Sequence, residues 1–322
     1  MKLLITGGAG FIGSHLAETL LNKGHEVFIV DDLSTGSLDN LAGFEQNKNL
    51  HFLLDSVRNE TLMDTLIKDV DQVFHLAAAV GVKWIIDNPL RSIQTNVLGT
   101  ETVLRLACKH RKKVLLASTS EIYGKKKESP FKEEDDRLLG STHISRWSYS
   151  NTKALDEFWA LAYYREKKLP VVITRFFNTC GPRQTGQYGM VIPRFIKQAL
   201  LGHPLTVYGD GTQSRCFAYV GDVIRGVLDL MEEPKAVGQV FNIGANESIS
   251  ILELAQRIKE MTASSSRIEL VPYDEAYEEG FEDMPERTPC LEKIHETIGY
   301  QPRVDLAELL RLTINFFESE VA

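Results

Sequence analysis

Cysteine is scarce in this chain and scattered. Cys108, Cys180, Cys216 and Cys290 form no C-x-x-C pair. Neither a zinc site nor a disulfide framework is therefore expected, and free thiols in a reducing compartment are. The eight histidines show no ligand-like grouping, so no metal is expected. No stretch approaches the ~20 apolar residues that a membrane span needs. The N-terminal "MKLLITGG" has a lysine and an apolar run, but that run is only four residues long before the glycines begin. It falls well short of a signal-peptide core, and a cytoplasmic protein is expected. An excess of positive charge is also missing. The formal charge of −8 disfavours nucleic acid and anionic membrane as partners, while leaving room for a local basic pocket that takes a phosphate.

What is present is an ordinary globular composition, 43% apolar and 25% charged over 322 residues, long enough for two domains or one large domain with a smaller lobe. From Lys2 to about Ser120 short apolar runs ("KLLIT", "HEVFIVDD", "HFLLDS", "DQVFHLAA", "KVLLAST") alternate with helical or loop stretches. Uninterrupted apolar strands of this kind predict a parallel sheet covered on both faces. Two long amphipathic segments, 88–111 and 147–168, predict covering helices. After "LPVVITRFFN" the texture changes, with turn signals such as "YGDGTQS" and "GANES" and a capping box at Ser250 to Glu253. That half reads as a smaller mixed lobe interleaved with the end of the sheet. "GKKKESPFKEEDD" reads as a charged surface loop with solvation as its whole role.

"TGGAGFIG" places Gly7, Gly8, Gly10 and Gly13 between a strand and a helix. Such a turn needs positive φ, then close approach of backbone amides to a pyrophosphate, then tight helix–strand packing. Gly7, Gly10, Phe11, Ile12 and Gly13 are the expected contacts of a dinucleotide. Asp31 and Asp32 close the second strand, about twenty residues further on. A carboxylate there accepts from a ribose diol and repels a 2′-phosphate, which favours NAD over NADP. A surface turn acid remains the competing reading for Asp32.

Tyr149 and Lys153 in "YSNTK" stand four apart, on one helical face. An ammonium beside a phenol favours the phenolate and makes Tyr149 a base for a hydroxyl proton. The apolar run "KVLLA" ends in Ser118-Thr119-Ser120-Glu121, a strand delivering small hydroxyls, and one carboxylate, to a site.

Together "TGGAGFIGSHL", "FHLAA", "NVLGT", "STSEIYG", "YSNTK", "RFFNTCGPR" and "GDGTQSRCF" resemble the extended short-chain dehydrogenase/reductase family, and within it the nucleotide-sugar epimerases, dehydratases and decarboxylases. The resemblance covers nearly the whole chain with its motifs in order. It implies an α/β fold: a Rossmann-type doubly wound parallel sheet with a smaller mixed C-terminal substrate lobe. Residues 1–175 would form the NAD-binding domain that carries the catalytic pair, and 176–322 mainly the nucleotide-sugar lobe. It implies an NAD that is reduced and reoxidised within one turnover. Tyr149 would be the base, Lys153 its partner and a cofactor contact, and Thr119 the hydroxyl at the sugar O4. The family's acid after the third strand falls here in "LLDSVRN", with the register open between Asp55 and Ser56. The long helices resemble those that the family pairs into a homodimer.

Ser120-Glu121 lacks the aspartate that dehydratases of this group carry, so 4,6-dehydration is disfavoured. It resembles the UDP-glucuronate decarboxylases instead, as do "RWSYSNTK", with Arg146, and "YEEGFEDMPERTP", with Arg287. The implied site adds Glu121 and Arg287 to the catalytic group. Ser120, Tyr149, Asn178, Arg215 and Arg287 would hold the UDP-sugar. Oxidising C4 of a glucuronate gives a β-keto acid, and Arg287 would stabilise the enolate that remains after CO2 leaves. A 4-epimerase is the close alternative, and a non-catalytic dinucleotide sensor the alternative of another class. Arg146 and Arg215 could instead be structural ion-pair residues, Glu121 a partner of a backbone amide, and Asn178 a turn former.

Overall fold

The computed structural model describes residues 1–186, 190–276, 284 and 286–321. Six short strands come first along the chain: β1 (Lys2–Thr6), β2 (Glu26–Asp31), β3 (Leu50–Leu54), β4 (Gln72–His75), β5 (Lys113–Thr119) and β6 (Val171–Phe176). Four shorter strands follow, β7 (Thr179–Cys180), β8 (Leu205–Tyr208), β9 (Ser214–Cys216) and β10 (Ala218–Tyr219). Then β11 (Gln239–Ile243) returns to the sheet beside β6. The seven-stranded sheet runs β11-β6-β5-β4-β1-β2-β3, with every pairing parallel. Its order reverses between β1 and β4, and a crevice opens at such a point beyond the carboxyl ends of the strands.

The strand sequences explain why both faces are buried. Leu3 and Ile5 join one core with Leu115, Val172 and Phe241, whereas Leu4 joins the opposite core with Val114, Leu116, Val171 and Ile173. Successive side chains point to opposite faces, so a continuous apolar run is what a sheet covered twice requires. On the first face pack α1 (Phe11–Asn22) and α7 (Val220–Glu232); on the second pack α2 (Glu60–Asp69), α4 (Pro89–His110) and α5 (Arg146–Lys167). The long helices lie within a residue of the segments expected from periodicity. The short α3 (Val82–Asp87) precedes α4.

A third core gathers α6 (Val191–Leu200), α8 (Ile251–Met261) and the C-terminal helix Leu306–Val321, through Ile192, Phe195, Leu254, Ile258, Leu309 and Phe317. The capping box at Ser250 and Glu253 starts α8 as its sequence predicts. All four cysteines are free, and three of them are buried. Among the described residues no helix is long and apolar enough to cross a membrane.

One expectation fails. The loop after β5 is not merely solvated. Phe131 is fully buried against Tyr123 and Phe177. Its N–H donates to the Thr288 carbonyl at 2.8 Å and its own carbonyl accepts from Cys290 N at 2.8 Å. Glu133 is buried too, accepting from Asn242 N at 2.7 Å. The abundant lysines and acids around Phe131 masked one aromatic anchor.

Candidate active site

The cleft at the sheet's switch point has a volume of about 620 Å³. One end is built by the turn after β1. Gly7 has φ +74°, and a Cβ there would lie 2.8 Å from Ala77 N. A Cβ on Gly13 would lie 2.2 Å from the Gly7 carbonyl oxygen. Gly10 starts α1 with no side-chain cap, so the first amides of that helix face the cleft as donors for an anion. Phe11 and Ile12 line the same end. This is a cradle that side chains would fill, and it fits a dinucleotide's pyrophosphate.

Asp31 is buried at the end of β2 and accepts from Ala9 N at 3.0 Å and Leu33 N at 2.9 Å. Burial pushes its carboxyl above the usual carboxylate range, against those two donors. Asp31 therefore fixes the glycine turn, and its remaining lone pairs stay available to a diol. Asp32 accepts from Ser34 N at 3.0 Å and lies 3.6 Å from Arg91 Nη2, a turn acid with an ion-pair partner that still borders the cleft. Asp55 and Ser56 both line it as well. The Asp55 carboxylate is occupied locally by Ser56 N at 2.7 Å and Asn59 Nδ2 at 2.7 Å.

At the other end β5 delivers Ser118 and Thr119, and the single 3-10 turn that follows carries Ser120 and Glu121; the first three are buried. Thr119 caps that turn by accepting from Glu121 N at 3.2 Å. Ser118 donates to Glu157, which Arg175 grips through Nε at 2.9 Å and Nη2 at 2.8 Å. Ser118 is thus tied to the core, although it borders the cleft together with Thr119, Ser120 and Glu121.

Tyr149 and Lys153 enter the cleft from α5, both nearly fully buried. Burial pushes the Tyr149 phenol well above its ordinary value. The Glu121 carboxylate adds to that push, and the Thr119 hydroxyl and the Arg287 guanidinium oppose it. The Lys153 ammonium sits on Asp156 Oδ2 at 2.9 Å, so the lysine is directed to a carboxylate one turn further along its helix.

Two arginines from separate segments of the chain approach the same oxygen of Glu121. Arg287 Nη2 is 2.8 Å from Glu121 Oε1, and Arg146 Nη2, at the start of α5, is 3.9 Å from the same atom. Both guanidinium groups are largely buried and both line the cleft. Arg287 Nη1 also reaches Asn178 Oδ1 at 3.5 Å. Asn178, at φ +28°, donates to the Cys216 carbonyl at 3.0 Å, so it shapes its turn as well as meeting Arg287. Arg215 lines the cleft from β9, with Nη1 2.8 Å from the Ser214 carbonyl. Of the stretch "YEEGFEDMPERTP", only Met284 and residues 286–289 lie within the described structure.

Sequence reasoning passed over three contributors. Asp156 has a local signal, since it stands three residues after Lys153. Arg194 lines the cleft as well and stacks on Tyr208 at 4.0 Å from the ring centre. The Phe131 clamp holds the segment that follows Arg287; its partners lie far away in sequence.

A family model described as GDP-mannose 4,6 dehydratase matches residues 4–313. The chain belongs to that family. It is a member of the extended short-chain dehydrogenase/reductases, as its motifs imply. It is similar to the UDP-N-acetyl-alpha-D-glucosaminuronate decarboxylase of Bacillus cytotoxicus, 45% identical over 98% of this chain and 97% of that one. It is also similar to UDP-glucuronic acid decarboxylase 1 of Danio rerio, 37% identical over 99% of this chain and 73% of the other. Among solved structures, UDP-glucuronic acid 4-epimerase from Bacillus cereus, in complex with UDP-glucuronic acid and NAD, superposes with a TM-score of 0.89 at 30% identity, over 99% of this chain and 100% of that one.

Proposed function

We propose that this family member is an NAD-dependent decarboxylase of a UDP-linked hexuronate. The carrying observation is the convergence of Arg287 and Arg146 on Glu121 beside Thr119 and Tyr149. Two largely buried cations next to the C4 chemistry suit a substrate with a carboxylate at C6, and the two decarboxylase relatives act on such sugars by name.

Gly7, Gly10, Phe11, Ile12, Gly13, Asp31 and Ser56 would hold NAD, and the chemistry it would supply when bound is reversible hydride transfer at C4 of the sugar. Tyr149 takes the O4 proton, with Thr119 accepting and donating at the same oxygen. Because burial and Glu121 hold the phenol high, Tyr149 needs added positive charge to work as a base. Lys153 is the side chain placed to supply it. Ser120, Asn178 and Arg215 hold the nucleotide sugar. Arg287 pairs with the C6 carboxylate and then with the enolate left when CO2 departs from the β-keto acid. A guanidinium is a poor proton donor, so Glu121 serves by ordering the water that reprotonates C5.

Epimerisation at C4 is the second reading, favoured by the similarity to the 4-epimerase bound to UDP-glucuronic acid. It shares the first oxidation, and the ketone is then reduced on its other face. Incubation of the protein and NAD with UDP-glucuronate, and separately with UDP-N-acetylglucosaminuronate, followed by NMR, separates the two. A pentose or 4-keto pentose product supports decarboxylation; a six-carbon product inverted at C4 refutes it. Tyr149→Phe should abolish either product.

A homodimer is part of the same reading. Leu90, Ile93 and Leu98 on α4, with Leu155 and Phe158 on α5, leave apolar side chains exposed along two adjacent helices. Light scattering on the purified protein tests it. The buried free thiols suit a cytoplasmic setting.

A further inference from the structure

Asp156 is the most deeply buried carboxylate beside the cleft, with no solvent exposure. One oxygen takes the Lys153 ammonium at 2.9 Å, and the other, Oδ1, has no hydrogen-bond partner among the described residues. A buried carboxylate with an unsatisfied oxygen costs free energy that an apolar side chain would not. Burial accordingly pushes its carboxyl above the usual range, while Lys153 and the Thr100 hydroxyl hold it down. Locally disfavoured residues of this kind concentrate at working sites.

We propose that Asp156 is the positioning residue for Lys153: its carboxylate holds and balances the ammonium on the floor of the cleft, one helical turn beyond Tyr149. This rests on the reading of Lys153 as the partner of Tyr149.

The neighbouring groups leave Asp156 as the anion that does this. Glu157, next on α5, is committed to Arg175 and Ser118. From β4, His75 faces the lysine between the hydroxyls of Thr6 at 2.7 Å and Thr100 at 3.1 Å, and burial holds it neutral with a value down to about 3. It adds no second cation. Glu121, from the turn after β5, is paired with Arg287 and faces the phenol. Tyr149 itself completes the set. An ammonium in this position without Asp156 would be a buried cation with no counter-ion, prone to lose its proton.

The test has two arms. Chemical unfolding of Asp156→Asn, Lys153→Met and the double variant needs no substrate. The pair is coupled if the double variant is more stable than the sum of the two single losses implies; additive losses, or a double variant less stable than that sum implies, overturn the proposal. The second arm is the pH dependence of turnover. In Asp156→Asn the alkaline limb should move down by about one pH unit or more, with activity recovering towards lower pH. A loss by the same factor at every pH means a merely structural role and overturns the proposal. Should the unsubstituted protein turn over neither UDP-hexuronate, the functional reading fails while the unfolding arm still decides this one.

Discussion

Replacing Glu121 by Gln should tighten the binding of a carboxylate-bearing sugar while slowing its conversion. In the structure Arg287 is already paired, at 2.8 Å, with a side chain that is only 15% exposed. Two unit charges at that separation attract by about 6 kcal/mol at an effective dielectric constant of about 20. A substrate carboxylate must compete for that guanidinium, and for Arg146 at 3.9 Å. If only a quarter of the attraction were returned on removing the Glu121 charge, about 1.5 kcal/mol, UDP-glucuronate would bind about tenfold more tightly. UDP-glucose has no carboxylate and should bind as before. Titration calorimetry of both ligands, with and without Glu121→Gln, gives the ratio that matters. Turnover should fall, because the water that reprotonates C5 loses its organiser. The same charge holds the Tyr149 phenol up, and a base acts in its deprotonated form. The acid limb of the activity profile should therefore move to lower pH. Equal tightening of both ligands, or weaker binding of UDP-glucuronate, would refute the placement of Glu121 opposite the carboxylate.

Other outcomes follow from single distances and burial. Gly13→Ala puts a Cβ 2.2 Å from a backbone oxygen that cannot yield; NAD affinity measured by fluorescence should fall at least about tenfold, at the low end of overpacking costs. Phe131→Ala empties a fully buried aromatic site and should cost about 3–5 kcal/mol in urea unfolding. His75 is held at about 3 in the fold, against an ordinary 6.5. The unfolded chain therefore takes up the proton first as pH drops below 6.5, and stability is lost from there down to about 3. Between pH 7 and pH 5 this group alone should remove about 2 kcal/mol. His75→Gln, which can still meet both threonines, should flatten that slope in urea titrations at the two pH values.

The fold was largely legible because its rules are local. Period-2 alternation inside continuous apolar strands, glycine spacing at the β1 turn and the capping box at Ser250 all lie within a few residues of one another. The long covering helices announce themselves by periodicity in the same way. Each site residue of the first half is a strand end or a helix face, so Thr119, Glu121, Tyr149 and Lys153 could be placed near one another before any coordinates. Arg287 came from resemblance alone, since nothing in its surroundings says which face of the cleft it meets.

What stayed hidden is charge and burial whose meaning depends on distant partners. Phe131 sits among lysines and acids in the sequence, yet its aromatic ring meets Tyr123 and Phe177, and its backbone ties down residues 288 and 290. That clamp joins the turn carrying Glu121 to the segment carrying Arg287, so a loop read as solvent-facing helps to set the ion pair on which the functional reading rests. Lys153 shows the converse. Its spacing from Tyr149 is correct for a pair on one helical face, but spacing gives proximity and not allegiance. The next turn of the same helix offers a full negative charge, and in a nearly dry site an ammonium goes to the charge before the phenol. Held on Asp156, the ammonium keeps its proton and acts on Tyr149 as a charge one helical turn away, not as a partner taken from it.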